Sequence, residues 1–252
     1  MKTAIFIRSY VPDALWLEYC LRSIAKFVTG AEYVRIIVPE TDRGIFWPMC
    51  QKYGARLWAY GVLANKPMLS SEVQLCYADD ICRDVDAVAL LDSDCMFTTP
   101  WSPLDNLVGG KSVLIAQSFA YLASIGNGGI VWQGVAAKAL GWTPTHETMR
   151  HPTIYHRGLF EPFRKAVENH TGAFFDNYVL AQQETWPQGF AELTSLGAYA
   201  MKFFPELYYI ADVKTDAINT KADSGSPVGA NKLRQFWSHG PMPREEMERI
   251  LA

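Results

Sequence analysis

The first hundred residues alternate short apolar runs with helix-spaced segments, and that alternation restricts the fold more than any other feature of the chain. "TAIFIRS" (3–9) is an apolar run, after which Leu15, Trp16, Tyr19, Cys20, Ile24 and Phe27 recur at helical spacing. "YVRIIVP" (33–39) reads as the next strand, 42–53 as a helix closed by Gly54, and "ARLWAY" (55–60) as a third strand. Met68 to Arg83 forms a second long helical segment, and "AVALL" (87–91) follows as a buried strand. Strands separated by helical crossovers pair parallel, so this β-α-β-α-β order predicts a mostly parallel central sheet with helices on both faces, an α/β fold.

The second half reads differently. "KSVLIAQS" (111–118) and "GGIVWQ" (128–133) are expected as further strands. From about residue 134 helices and loops take over, punctuated by Pro144, Pro152, Pro162 and Pro187, and "MKFFPELYYIAD" (201–212) is expected to return to the sheet. There is no internal repeat and no low-complexity linker. One domain over 1–252 is expected, with an elaborated C-terminal half.

Composition narrows the function classes. With 49% hydrophobic and 19% charged residues among 252, the chain builds a core. A net charge of −3 gives no general electrostatic reason to hold nucleic acid. No apolar run approaches the ~20 residues that cross a bilayer, and the four apolar residues between Thr3 and Arg8 are too few for a signal-peptide core. The five cysteines form no CxxC pair, which suits reduced thiols and an expected cytoplasmic location.

The run at 87–91 ends in Asp92-Ser93-Asp94. Ligands of open α/β sheets bind beyond the carboxyl ends of the strands, where these acids fall. Two ionised carboxylates ~4 Å apart repel by roughly 4 kcal/mol at an effective dielectric of ~20. A shared proton, a basic neighbour or a divalent cation can offset that. Mg²⁺ or Mn²⁺ does so most fully, because hard oxygen ligands suit it, and residues two apart in an extended segment face the same side. The alternative is a turn in which the aspartates cap the backbone.

"IFIRSYVPDALWLEYCLRSI", "ALLDSDCMF" and "SIGNGGIVWQ" together resemble a GT-A nucleotide-sugar glycosyltransferase. More narrowly, with "HPTIYHRGLFEPFRKAV" and "GFAELTSLGAYA", they resemble the small bacterial glycosyltransferase-like proteins of the DUF6492 type. The resemblance implies metal ligation by Asp92 and Asp94, bridging the diphosphate of a sugar nucleotide. It places the loop Ser9, Tyr10 to Asp13 near base and ribose. It also implies a nucleotide-binding half (1–100) and an acceptor-side half (101–252).

Such folds often take a third metal ligand from a C-terminal histidine, and "QFWSHGPMP" supplies His239, which as readily reads as a surface residue. Trp237 could stack on a base or simply pack. Asn127 and Gly128 resemble a sugar-contacting N-x-G, or form a tight turn. Glu192, at the start of an expected helix, is the candidate general base or stabiliser of positive charge at the anomeric carbon; otherwise it complements the helix dipole. Asp176 is its weaker rival. Arg8 and Lys66 are candidate diphosphate contacts. His146, His151 and His156 recur every five residues, a spacing that puts them on no common helix face, and a zinc site there is not expected. Neither a dinucleotide fingerprint nor a P-loop is present.

The expected function is metal-dependent transfer of a sugar from a nucleotide donor, UDP-linked for preference, to a hydroxyl acceptor on a glycan, lipid-linked glycan or protein. A catalytically silent nucleotide- or sugar-binding protein of the same fold is the alternative. A haloacid-dehalogenase-like phosphatase fits less well, since that family carries its D-x-D after the first strand of the core and not the fourth.

Overall fold

The structure is a computed structural model that describes residues 1–148, 151–185, 189–212, 221–222, 232–236 and 238–252. Its strands are β1 (Thr3–Arg8), β2 (Tyr33–Pro39), β3 (Arg56–Tyr60), β4 (Ala87–Asp92), β5 (Cys95–Phe97), β6 (Leu107–Val108), β7 (Lys111–Ser118), β8 (His146–Glu147), β9 (Thr153–His156), β10 (Tyr208–Asp212), β11 (Lys221–Ala222) and β12 (Leu233–Gln235). The helices are α1 (Ala14–Phe27), α2 (Arg43–Tyr53), α3 (Pro67–Cys76), α4 (Ala78–Ile81), α5 (Phe119–Ser124), α6 (Val131–Leu140), α7 (Phe160–Thr171), α8 (Phe175–Leu180), α9 (Glu192–Phe203) and α10 (Arg244–Leu251).

The central sheet runs β3-β2-β1-β4-β9, with the first four strands parallel and β9 antiparallel to β4. Its central strands β1 and β4 are apolar without alternation because both their faces are covered. Ala4 and Phe6 of β1, with Val88 and Leu90 of β4, face a core built with α3, α6, α7 and α9. Ile5 and Ile7, with Ala89 and Leu91, face a second core that includes Leu17, Cys20 and Ile24 of α1 and Phe46 and Cys50 of α2. The period of two carries on to the strand ends. Arg8 therefore follows Phe6, and Asp92 follows Leu90, onto the face covered by α3 and α9. In the parallel register Arg8 and Asp92 are partners.

The second half departs from expectation in several places. Gly128–Ile130 is a 3-10 turn that leads into α6, not a strand. Asn127 Oδ1 accepts from Gly129 N at 2.8 Å and starts that turn, and Ala136, Ala139 and Leu140 then turn inward at helical spacing. The stretch 201–212 divides: its first three residues end α9, and β10 pairs with β7 in a separate sheet of order β10-β7-β6. The single helical segment expected from Met68 to Arg83 is two helices, α3 and α4. β9, unforeseen, brings residues 153–156 back beside β4. Finally β12 pairs antiparallel with β5, so the chain returns to the D-x-D turn near its C-terminal end.

Candidate active site

Two strand ends and two later segments meet at the carboxyl edge of the central sheet. Arg8 Nη1 lies 2.7 Å from Glu192 Oε1, and its Nε lies 3.6 Å from Asp92 Oδ1. Burial works against the Arg8 charge, but Glu192 and then Asp92 offset it, so the guanidinium is held protonated. Glu192 is 4% exposed at the first turn of α9. Arg8 is its bridge to the aspartate pair.

The aspartates themselves converge on one amide. Gln235, the last residue of β12, places Nε2 3.4 Å from Asp92 Oδ2 and 3.2 Å from Asp94 Oδ1. Ser238 N donates to Asp94 Oδ2 at 3.0 Å, and Phe236 N donates to the Asp94 carbonyl at 3.0 Å. Burial, then the charge of Asp92, pushes the Asp94 carboxyl above its ordinary range; Ser238, Gln235 and His151 pull the other way. Asp13, 9% exposed, accepts from Ser93 Oγ at 3.0 Å. Its carboxyl is also raised, by burial first, against the hydroxyls of Ser93 and Ser238 and the nearby His239.

His151 completes the group, and sequence reasoning missed it. It is 2% exposed, with Nδ1 3.2 Å from the Leu90 carbonyl and Nε2 2.8 Å from Asp92 Oδ2. The ring is thus held between a backbone carbonyl and the Asp92 carboxylate, one at each nitrogen. His151 reaches Asp92 only because β9 turns back along β4, which no local pattern announces. Gln235 was missed for the same reason, β12 being 143 positions beyond Asp92.

The other expected residues are placed as follows. Ser9 is buried and Tyr10 is exposed beside it. Lys66 Nζ is engaged by the carbonyls of Leu180 and Gln182, each at 2.7 Å, and so braces the start of α3. Asn127 caps its own turn, and Gly128 opens it. His239 is exposed, one residue beyond the Ser238 contact. Asp176 lies on α8, where it accepts from the Tyr77 hydroxyl. Trp237 lies outside the described residues.

Among the described residues no group of three or more His, Cys, Asp or Glu side chains is arranged to hold a metal ion. The chemistry of the aspartate set nevertheless fits a hard cation. Two carboxylates face one point, and the amide of Gln235, turned end for end, presents Oε1 there in place of Nε2. A surface cavity of about 380 Å³ between β6, β7, β10 and the end of α9 shares no residue with this group.

The sheet order and its covered faces define an α/β domain of GT-A-like glycosyltransferase fold, as the resemblance implied. Among solved structures, the crystal structure of mouse xyloside xylosyltransferase 1 in its apo form is similar over 96% of this chain and 100% of that one. The TM-score is 0.51 and the identity 11%, so the likeness is one of fold. No family model and no curated protein sequence matches the chain. No helix among the described residues is long and apolar enough to cross a membrane.

Proposed function

We propose that the chain transfers a sugar from a nucleotide-sugar donor, UDP-linked for preference, to a hydroxyl acceptor. The observation that carries this is the convergence of Asp92 and Asp94 on one point at the carboxyl edge of the sheet, beside Arg8, in a fold shared with a sugar transferase. Asp92 and Asp94 would hold Mn²⁺ or Mg²⁺, with Gln235 better placed than His239 for a third contact. Once bound, such a cation supplies positive charge opposite a diphosphate.

The remaining roles belong to this chain's own groups. Arg8 adds a fixed positive charge on the leaving-group side. Tyr10, exposed at the head of the loop after β1, offers a flat face to the base, and Ser9 and Asp13 lie on the same loop for the ribose. Asn127 and Gly128 remain candidates for the sugar, and Lys66 supports the site through its brace on α3. Glu192, paired with Arg8, is the candidate carboxylate on the acceptor side, either to take a hydroxyl proton or to steady charge at the anomeric carbon.

The test is calorimetric titration of UDP with and without Mn²⁺. Wild type should bind UDP more tightly with the cation. Asp94→Ala should lose at least ~10-fold of that gain, Gln235→Ala should follow it, and His239→Ala should not. Absence of UDP binding with any cation would end the UDP reading, and GDP would be tried next. Failure of both would end the transferase reading.

A further inference from the structure

Glu72 is a third acid gathered around Arg8, and nothing in the transfer reading uses it. It sits on α3 and is 6% exposed. Facing it are Glu192 from α9, Arg8 from β1, and Glu184 with the backbone N–H of Phe190 from the segment before α9. Its Oε2 is shut off from solvent and has no hydrogen-bond partner among the described residues.

An ionised carboxylate in that position has little to support it. A buried carboxylate with one oxygen left without a donor is strongly unfavourable and takes up a proton instead. Arg8 cannot neutralise it, because its single charge is already shared between Glu192 at 2.7 Å and Asp92 at 3.6 Å. Three carboxylates around one guanidinium leave two negative charges in excess, and the proton goes to the acid that no charged group donates to. Glu192 has Arg8, Asp92 has Arg8, His151 and Gln235, and Glu72 has one backbone N–H. Pairs of carboxylates driven apart in this way divide their roles, one neutral and one charged.

We propose that Glu72 is a positioning residue, a neutral carboxylic acid that supports the Arg8–Glu192 pair. It extends the transferase reading and rests on that reading only for its effect on ligand binding. A neutral amide can do the same work, while an apolar side chain cannot. Burial, then the charge of Glu192, drives the Glu72 carboxyl well above its ordinary range, which agrees with this assignment.

The sign of the pH effect follows. At low pH both folded and unfolded chains hold the proton. As pH rises past the ordinary carboxylate range the unfolded chain loses it first, so folding stability falls until the folded-state value is passed.

Wild type, Glu72→Gln and Glu72→Leu are compared in three measurements. Infrared spectra at neutral pH should show a protonated-carboxyl band in wild type that Glu72→Gln removes. Tm followed from roughly pH 5 to pH 8 should fall more steeply for wild type than for Glu72→Gln, leaving the variant the more stable at the alkaline end. Calorimetry with Mn²⁺ and UDP should find Glu72→Gln at wild-type affinity and Glu72→Leu ~10-fold weaker. No removable band, or parallel Tm curves, would show that Glu72 is ionised and overturn the proposal. Wild-type affinity in a folded Glu72→Leu would overturn the positioning role. Wild type that binds no nucleotide would sink the transferase reading and that role together, while the band and the Tm slope would still stand as measured.

Discussion

Arg8 shows how one residue at a strand end organises a site. The alternation of β1 sends it to the face where α9 begins, and the parallel register sets it beside Asp92. Removing it leaves Glu192, with a side chain only 5% exposed, as an uncompensated buried charge. Arg8→Met should therefore cost about 3 kcal/mol in urea denaturation, the low end for a broken buried pair because the guanidinium is partly exposed. Adding Glu192→Gln should recover much of the loss, and a double-mutant cycle with no coupling would contradict the pairing. Residues of this kind were only half legible. Arg8, Asp92, Asp94, Asp13 and Glu192 stand at ends of elements whose periods can be read. His151, Gln235 and Glu72 cannot be found that way, since each owes its place to a packing partner far off in sequence.

Among the elements, the segment from β12 to α10 controls the aspartates without belonging to the parallel sheet. Arg234 on β12 is ion-paired with Glu246 of α10. Met247 is fully buried with Trp16, Tyr19, Met96 and Phe236, and Glu248 receives Arg22 and the Tyr19 hydroxyl at the surface. These two attachments should differ in weight. Met247→Ala should lower stability by about 2–4 kcal/mol through its cavity and weaken Mn²⁺-dependent UDP binding, because Phe236 follows Gln235 directly. Glu248→Ala, which breaks a surface pair and one tyrosine hydrogen bond, should cost about 1 kcal/mol and leave UDP binding unchanged. The parallel strands were legible because an apolar run bounded by turn residues has few other uses. "GGIVWQ" misled because Ile-Val-Trp favours a strand locally, whereas the buried Ala136, Ala139 and Leu140 beyond it decide for a helix.

Across the whole molecule the cysteines report on the integrity of both cores. All five are free and buried; Cys20 and Cys50 lie on one side of the sheet, Cys76 and Cys82 on the other, and burial pushes the Cys50 thiol to about 11. A thiol reagent should react slowly with all five in the native protein and rapidly in denaturant. Fast labelling of one or two under native conditions would mean that part of a core opens.

The contacts from Gln235 and Ser238 to Asp94 span 141 and 144 positions. During synthesis the first four strands can emerge and pair long before those positions leave the ribosome. Until then Asp92 and Asp94 would face each other across water, with no amide between them. The aspartate site is thereby completed only once positions 235 and 238 have been made.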